Sequence, residues 1–253
     1  MIRSRRVGSE FRAAWHAFVR RRTAVFFTFF FPVIIILIFG ALVRTQPTGG
    51  GLFAEPPGYY IPGYLGVVVL FTPLSRVGST IARHRDDNRF EKLATTPLRR
   101  WEWLLAQTLV NVVIIGIASL LLLGLVVVVT SAAVLVSPAL LLLVPFVVLG
   151  VTVFCGIGAL LGYVADSQDG VIAASNTVAL PLLFLSETFV SPDLLPAWFR
   201  PFLGLSPLTY FSRGVRALTY DPAAGNVLVS LAVLAVLAAA FFAAGAYAIP
   251  RTD

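Results

Sequence analysis

The sequence of 253 residues is long enough for one or two ordinary domains, but its composition excludes an ordinary soluble one. Apolar residues make up 58% of the chain and charged residues 12%, against about 45–50% and about 25% in typical soluble domains. The formal net charge of +7 would favour a nucleic-acid partner in a soluble protein, but here the basic residues cluster at the ends of apolar segments. Composition therefore predicts an all-α polytopic membrane protein that binds no nucleic acid.

Residues 5–22 are amphipathic at helical spacing. Phe11, Trp15 and Phe18 fall on one face, whereas Arg5 and Arg6 fall largely on the other. This pattern, within residues 1–23, predicts a helix that lies in the headgroup region before the chain enters the membrane. The helix could be an anchor and topology signal only, or it could also move during a transport cycle.

Six apolar stretches follow, each about as long as the roughly 20 residues that a helix needs to cross a bilayer core. They are residues 24–43, 60–81, 104–130, 139–164, 171–190 and 227–249. Pro62 and Pro73 interrupt the second stretch. The fourth contains Gly156, Gly158 and Gly162, which predict close approach of a neighbouring helix.

The basic residues predict the orientation of these spans. Fifteen of the 19 fall on one side, in residues 1–23 and 76–100 and at Arg251, and four fall on the other. Because basic residues are retained on the inner side, both termini should be cytoplasmic and the chain should lie in the cell membrane. The first stretch follows a long basic helix, so we expect an uncleaved anchor rather than a signal peptide.

The longest loop on the basic side, residues 83–103, is predicted to be structured. Helix formers continue to Ala94, and Thr95-Thr96-Pro97 then breaks the helix, with Thr96 as the cap of a short second helix. We expect a compact, partly apolar knob that docks a protein; the alternative is a solvated loop that only enforces topology. The candidate docking residues are Arg89, Phe90, Glu91, Lys92, Leu93, Thr95, Thr96, Pro97 and Arg99.

Residues 191–226 are too apolar for a free loop and too interrupted for a span. They predict short re-entrant helices in the outer half of the bilayer, acting as a gate or as a structural plug. Arg213 and Arg216 share one helix face, where they could pair with Asp193 or Glu187 or bind a lipid phosphate. The candidate outer gate residues are Glu187, Pro196, Trp198, Pro207, Tyr210, Arg213 and Arg216.

Several kinds of chemistry are excluded or weakened by the sequence. Lys92 is the only lysine and follows Glu91, so the chain has no phosphate-binding loop for ATP. One cysteine and two histidines leave little material for a metal site. Few charges lie inside the apolar stretches, which argues against a transporter driven by an ion gradient.

Residues 166–173 match the opening D-x-x-D-G-x-x-A of the CDP-alcohol phosphotransferases, which are membrane enzymes. Ala174 stands where that family has Arg, and no later pair of aspartates completes a two-metal site. We keep such an enzyme, and a non-transporting membrane scaffold, as alternatives.

Three parts of the chain together resemble the ABC-2 permease family, the membrane subunits of ABC exporters of the daunorubicin-resistance, polysaccharide and nodulation-factor type. Residues 5–22 resemble its interfacial connecting helix, and residues 90–98, FEKLATTPL, resemble its coupling helix, in which a Glu precedes a Thr-Pro elbow. Segments 180–186, 195–199, 206–210 and 216–218 resemble its C-terminal signature. Two departures are Glu187, where a small residue such as Gly is expected, and Ser206, where Asn is expected.

The resemblance implies one transmembrane domain over residues 1–253 with no catalytic residues, metal or cofactor of its own. ATP and Mg²⁺ would be bound by a separate ATP-binding-cassette ATPase that docks on the coupling helix. A second permease copy or a paralogue, together with membrane lipids, would complete the assembly. The apolar spans are compatible with lipids, drugs or glycan-lipids, so the substrate is not predicted.

Overall fold

The computed structural model describes residues 2–38, 55–130, 132, 134–184 and 186–249. Every regular element in these ranges is helical, as predicted. The α-helices are α1 (Ile2–Val19), α2 (Arg22–Ile36), α3 (Ile61–Asp86), α4 (Arg89–Ala94), α5 (Arg100–Thr130), α6 (Leu143–Val164), α7 (Gln168–Phe184), α8 (Pro207–Thr219) and α9 (Val227–Ala248). Short 3₁₀ helices occupy Pro57–Tyr60, Pro138–Leu142, Pro192–Leu194, Arg200–Leu205 and Pro222–Ala224.

Four helical stretches of the described chain are long and apolar enough to cross a membrane. They are Pro57–Asp86, Arg100–Thr130, Pro138–Val164 and Val227–Ala248, and they correspond to the second, third, fourth and sixth predicted spans. Pro62 does not interrupt α3, because it lies in the first turn, where the missing N–H has no intrahelical acceptor. Pro73 lies inside α3 without ending it.

Of the other two predicted spans, the first is only partly described and the fifth differs from the structure. Helix α2 has 15 residues and ends at Ile36, and the rest of the predicted stretch 24–43 extends to residues outside the described ranges. Helix α7 has 17 residues and ends at Phe184, so the prediction of a helix to residue 190 was wrong. A helix of that length covers about 26 Å, short of a bilayer core of about 30 Å. Residues 186–190 are buried but not helical.

Helix α3 is the centre of the bundle, since residues 61–70 are all buried. It packs most extensively against α6, where the two backbones nearly touch. A Cβ atom on Gly158 would lie 2.5 Å from the carbonyl oxygen of Leu74, and one on Gly162 would lie 2.6 Å from that of Gly78. The predicted close approach at these glycines is therefore confirmed, and the absence of side chains permits it.

Contacts between helix termini define two ends of the bundle. At one end, Arg85 donates from Nη2 to the carbonyl oxygen of Ala165 at 2.5 Å, and Arg100 donates to that of Tyr247 at 2.9 Å. We call this the basic end, because the loop 83–103 lies there. At the opposite end, the N–H of Leu135 donates to the carbonyl oxygen of Thr219 at 2.9 Å. Which end faces the cytoplasm stays a prediction from the charge bias.

Candidate functional site

The candidate docking loop, residues 89–99 (hereafter the elbow), begins where the backbone turns sharply after α3. Helix α3 ends at Asp86, and Asn88 adopts a left-handed conformation with φ of 51°. Asn tolerates this conformation better than most residues, because its short polar side chain can satisfy nearby backbone groups. The predicted continuous helix was therefore wrong at residues 87–88, although its end at Ala94 was correct.

Two threonines close the C-terminus of α4. Thr95 donates from Oγ1 to the carbonyl oxygen of Lys92 at 2.8 Å, and Thr96 donates to that of Leu93 at 2.7 Å. Carbonyls in the last turn of a helix lack the usual intrahelical partners, and these hydroxyl groups supply donors to two of them.

The short second helix that we predicted to follow the Thr-Pro break differs from the structure. It is α5, with 31 residues, and it begins at Arg100 rather than at Pro97. The carboxylate of Glu102 accepts the N–H of Arg99 at 2.9 Å and so caps this helix. Thr96 is not the helix N-cap that we predicted, because its hydroxyl group is bonded back to α4.

One apolar side chain fastens the elbow to the bundle. Phe90 is 3% exposed, and its ring lies 5.6 Å from that of His84 on α3 and 5.9 Å from that of Trp103 on α5. Leu93 is half-buried. The remaining candidate docking residues are exposed: Arg89, Glu91, Lys92, Thr95, Thr96, Pro97 and Arg99. The elbow thus presents a mixed-charge surface on an apolar base.

A groove of about 980 Å³ runs beside this surface. Its walls combine the elbow with the start of α5 and the C-terminal end of α9: Phe90, Leu93, Ala94, Leu98, Arg99, Arg100, Trp101, Trp103, Ala246, Tyr247 and Ile249. Sequence reasoning missed the contribution of α9, because the end of an apolar helix carries no signal for the loop that it will meet in the fold.

Helix α1 packs along α5 and reaches the elbow. Phe11 and Trp15 stack with ring centroids 6.4 Å apart, and Phe18 is buried. Arg5 is exposed as expected, but Arg6, which we predicted on the polar face, donates from Nη1 to the carbonyl oxygen of Pro97 at 2.7 Å.

At the opposite end, Glu187 joins two arginines of α8, one through its side chain and one through its main chain. Glu187 pairs with Arg213 through two hydrogen bonds, Nε to Oε2 at 2.8 Å and Nη2 to Oε1 at 2.5 Å. Arg216 donates to the main-chain oxygen of Glu187 at 2.5 Å, and its guanidinium lies 3.9 Å from the ring centroid of Tyr59. The pairing of Arg213 with Glu187, considered from the sequence, is thus confirmed.

The backbone explains why a small residue was expected at position 187. Glu187 has a φ of 57°, in the left-handed region that favours glycine. The side chain nevertheless stays buried, at 6% exposure, because Arg213 binds it. The chain thus holds a strained residue in place by an ion pair.

The other candidate outer gate residues differ in their burial. Pro207 begins α8, and Tyr210 donates from its hydroxyl group to the carbonyl oxygen of Gly204 at 2.9 Å. Pro196 and Trp198 instead lie exposed on the surface. Tyr59, which the sequence did not single out, joins the site because α3 begins next to α8.

Comparisons with known proteins agree with the sequence pattern. A family model described as ABC-2 type transporter matches residues 7–220. The daunorubicin resistance ABC transporter permease protein DrrB1 of Streptomyces coeruleorubidus is 29% identical over 216 residues, covering 83% of this chain and 74% of the relative. The matched region begins inside α1 and ends just beyond α8, so it includes both the elbow and the Glu187 segment.

Proposed function

The chain belongs to the ABC-2 type transporter family, and we propose that its elbow receives the motion of a separate ATPase subunit and passes it to the membrane helices. The chain is the membrane subunit, or permease, of an ABC exporter. Its contribution is transport rather than catalysis.

The burial of Phe90 is the observation that carries this proposal. A force applied to the exposed face of α4 would reach α3 through His84 and α5 through Trp103. It would reach α1 through the bond between Arg6 and Pro97. Close-packed side chains transmit displacement because they leave no space in which to absorb it.

The energy would come from the partner. Lys92 is the single lysine of the sequence and does not belong to a phosphate-binding loop, so ATP and Mg²⁺ are assigned to the ATPase. ATP-driven closure of that subunit would favour one arrangement of the permease helices over another by differential binding to the elbow. The groove beside the elbow would accept an apolar side chain of the ATPase.

We further propose the assembly around this chain. Six spans with both termini in the cytoplasm would place the elbow on the ATPase side, as the charge bias predicts. A second permease, identical or paralogous, would complete the pathway across the cell membrane. The Glu187–Arg213 pair would hold the outer segment as a gate. The name of the Streptomyces relative makes daunorubicin-like drugs one candidate class of substrate.

Charge reversal on the elbow tests the docking. Glu91 is exposed on α4, so Glu91→Arg should leave the protein inserted and should abolish co-purification with its ATPase. Asp166→Arg is the matched control, because Asp166 is an exposed carboxylate of the same end of the bundle, between α6 and α7. Retained co-purification by Glu91→Arg, or equal loss in both variants, would argue against the elbow as the docking site.

A further inference from the structure

Three arginines meet where the turn between α1 and α2 contacts α3. Arg21 lies in that turn, and Arg76 and Arg83 lie about two turns apart on α3. Phe18, at the end of α1 and just before Arg21, contacts Arg76 through its ring, which brings this turn next to α3. The fold therefore holds like charges together at a cost in electrostatic energy.

Arg76 is the most enclosed of the three. Its guanidinium lies 4.3 Å from the ring centroid of Phe18, and its Nη1 is buried without a hydrogen-bond acceptor among the described residues. A desolvated cation without an anion is unfavourable, most of all close to a bilayer. The described part of the chain thus supplies no acceptor to this end of Arg76.

The carboxylate near this cluster is already engaged. Asp87, directly after the end of α3, is paired with Arg89 at 3.1 Å. Arg83 itself donates only a long bond of 3.4 Å to the hydroxyl group of Thr80. Guanidinium groups bind phosphate oxygens through paired hydrogen bonds, so a phosphate is the anion that this cluster fits best.

An apolar cavity of about 470 Å³ is also lined by Phe18. Its walls come from α1, α2 and α5 and include Trp15, Val25 and Ile114, with Arg22 as the charged residue of the lining. Phe18 therefore borders both a cluster that needs an anion and a cavity that suits a hydrocarbon chain.

We propose that Arg21, Arg76 and Arg83 bind the phosphate of an anionic phospholipid whose acyl chain occupies this cavity. The apolar cavity favours a phospholipid over free phosphate, since a free ion would leave it empty. The bound lipid stabilises the turn between α1 and α2 against α3. The proposal uses the membrane location of the chain and does not depend on the docking of an ATPase.

Lipid titration of the purified full-length chain in non-ionic detergent tests this. Phosphatidylglycerol should bind, as counted by native mass spectrometry, and should raise the melting temperature, whereas phosphatidylcholine with the same acyl chains should do neither. The double variant Arg21→Gln/Arg83→Gln should bind phosphatidylglycerol more weakly, by about fivefold for each arginine removed. It spares Arg76, whose burial makes substitution a risk to folding.

Arg5→Gln/Arg12→Gln is the matched control, because it removes the same charge from exposed positions of α1. A second pair of variants tests the cavity without changing charge. Val25→Trp, which fills the cavity, should weaken binding, and Val128→Trp, at a position 80% exposed on α5, should not.

Each contrary result has a definite meaning. Equal binding of the two lipids, or equal loss in the two double variants, would overturn the proposal in favour of unspecific adsorption. A similar rise in melting temperature with inorganic phosphate alone would overturn the assignment of a lipid and would indicate a site for a free anion. Unchanged binding of phosphatidylglycerol by Val25→Trp would show that the acyl chain does not occupy the cavity.

Discussion

Arg6 donates a hydrogen bond from Nη1 to the carbonyl oxygen of Pro97 at 2.7 Å, across 91 residues of sequence. The bond ties α1 to the elbow in the segment where the chain passes from α4 to α5. Because main-chain oxygens do not depend on residue type, nothing in the sequence around Pro97 marks it as an acceptor. Through this bond, a movement of the elbow would also displace α1.

We expect Arg6→Ala to loosen the elbow. Loss of one partly exposed hydrogen bond should cost about 1 kcal/mol. Amide hydrogen exchange of residues 95–99 should become faster, and substrate transport per ATP hydrolysed should fall. Arg5→Ala, at an exposed position one residue away, should change neither. Equal exchange in both variants would mean that the bond does not hold the elbow.

Substitutions of Glu187 should separate the ion pair from the backbone strain. Glu187→Ala removes the pair but keeps the left-handed conformation, whereas Glu187→Gly removes both the pair and the strain. Loss of the pair should cost about 2 kcal/mol, less than for a fully buried pair, because Arg213 is 37% exposed.

The glycine variant should then be more stable than the alanine variant by about 1 kcal/mol. Melting temperatures in detergent provide the measurement, and Arg213→Ala in each background isolates the pair. If alanine is tolerated as well as glycine, the positive φ carries no strain.

The crossing of α3 and α6 should be sensitive to a single methyl group. In Gly158→Ala the new Cβ would lie 2.5 Å from the carbonyl oxygen of Leu74, so the two backbones must move apart. We expect a loss of about 2 kcal/mol and a lower yield of folded protein.

Gly124→Ala on α5 is the control, since no atom lies within 4 Å of its added Cβ. It should stabilise the helix by about 0.5 kcal/mol, because alanine has the higher helix propensity. A similar change in melting temperature for both variants would contradict the close crossing.

The docking of α1 should depend on pH through Glu10. Burial against α5 raises the pKa of Glu10 above its ordinary value of 4.5, and the hydrogen bond that its carboxylate accepts from Gln107 only partly opposes this. The docked state therefore binds the proton more tightly than the undocked state. Its extra stability is fully present below the ordinary pKa and is lost as pH rises through the raised pKa.

The melting temperature should accordingly rise on acidification from about pH 7.5 to about pH 5, and Glu10→Gln should remove this part of the rise. At neutral pH Glu10→Gln should be at least as stable as the parent, because a neutral amide is easier to bury. A lower melting temperature for Glu10→Gln at neutral pH would show that the charge itself supports docking.

The elbow illustrates how far sequence reasoning reached. The end of α4 at Ala94 was predictable, because Thr95, Thr96 and Pro97 are local signals for a helix end. The left-handed Asn88 was not, since residues 83–94 are compatible with one continuous helix. Glu102 as the cap of α5 was missed for a similar reason: Thr96 offered a good local cap, but its hydroxyl group found a carbonyl in α4.

The family was indicated by the resemblance of three local sequence patterns. Composition, hydropathy and charge, read along the chain, determined the membrane environment and the positions of four spans. These properties depend on transfer of each segment between water and lipid and need no knowledge of its neighbours. Only the tertiary structure decided that α7 stops at Phe184, that Glu187 meets Arg213, and that Arg6 reaches Pro97. Such contacts depend on which helices pack side by side, and side-chain patterns along one helix do not specify the partner in space.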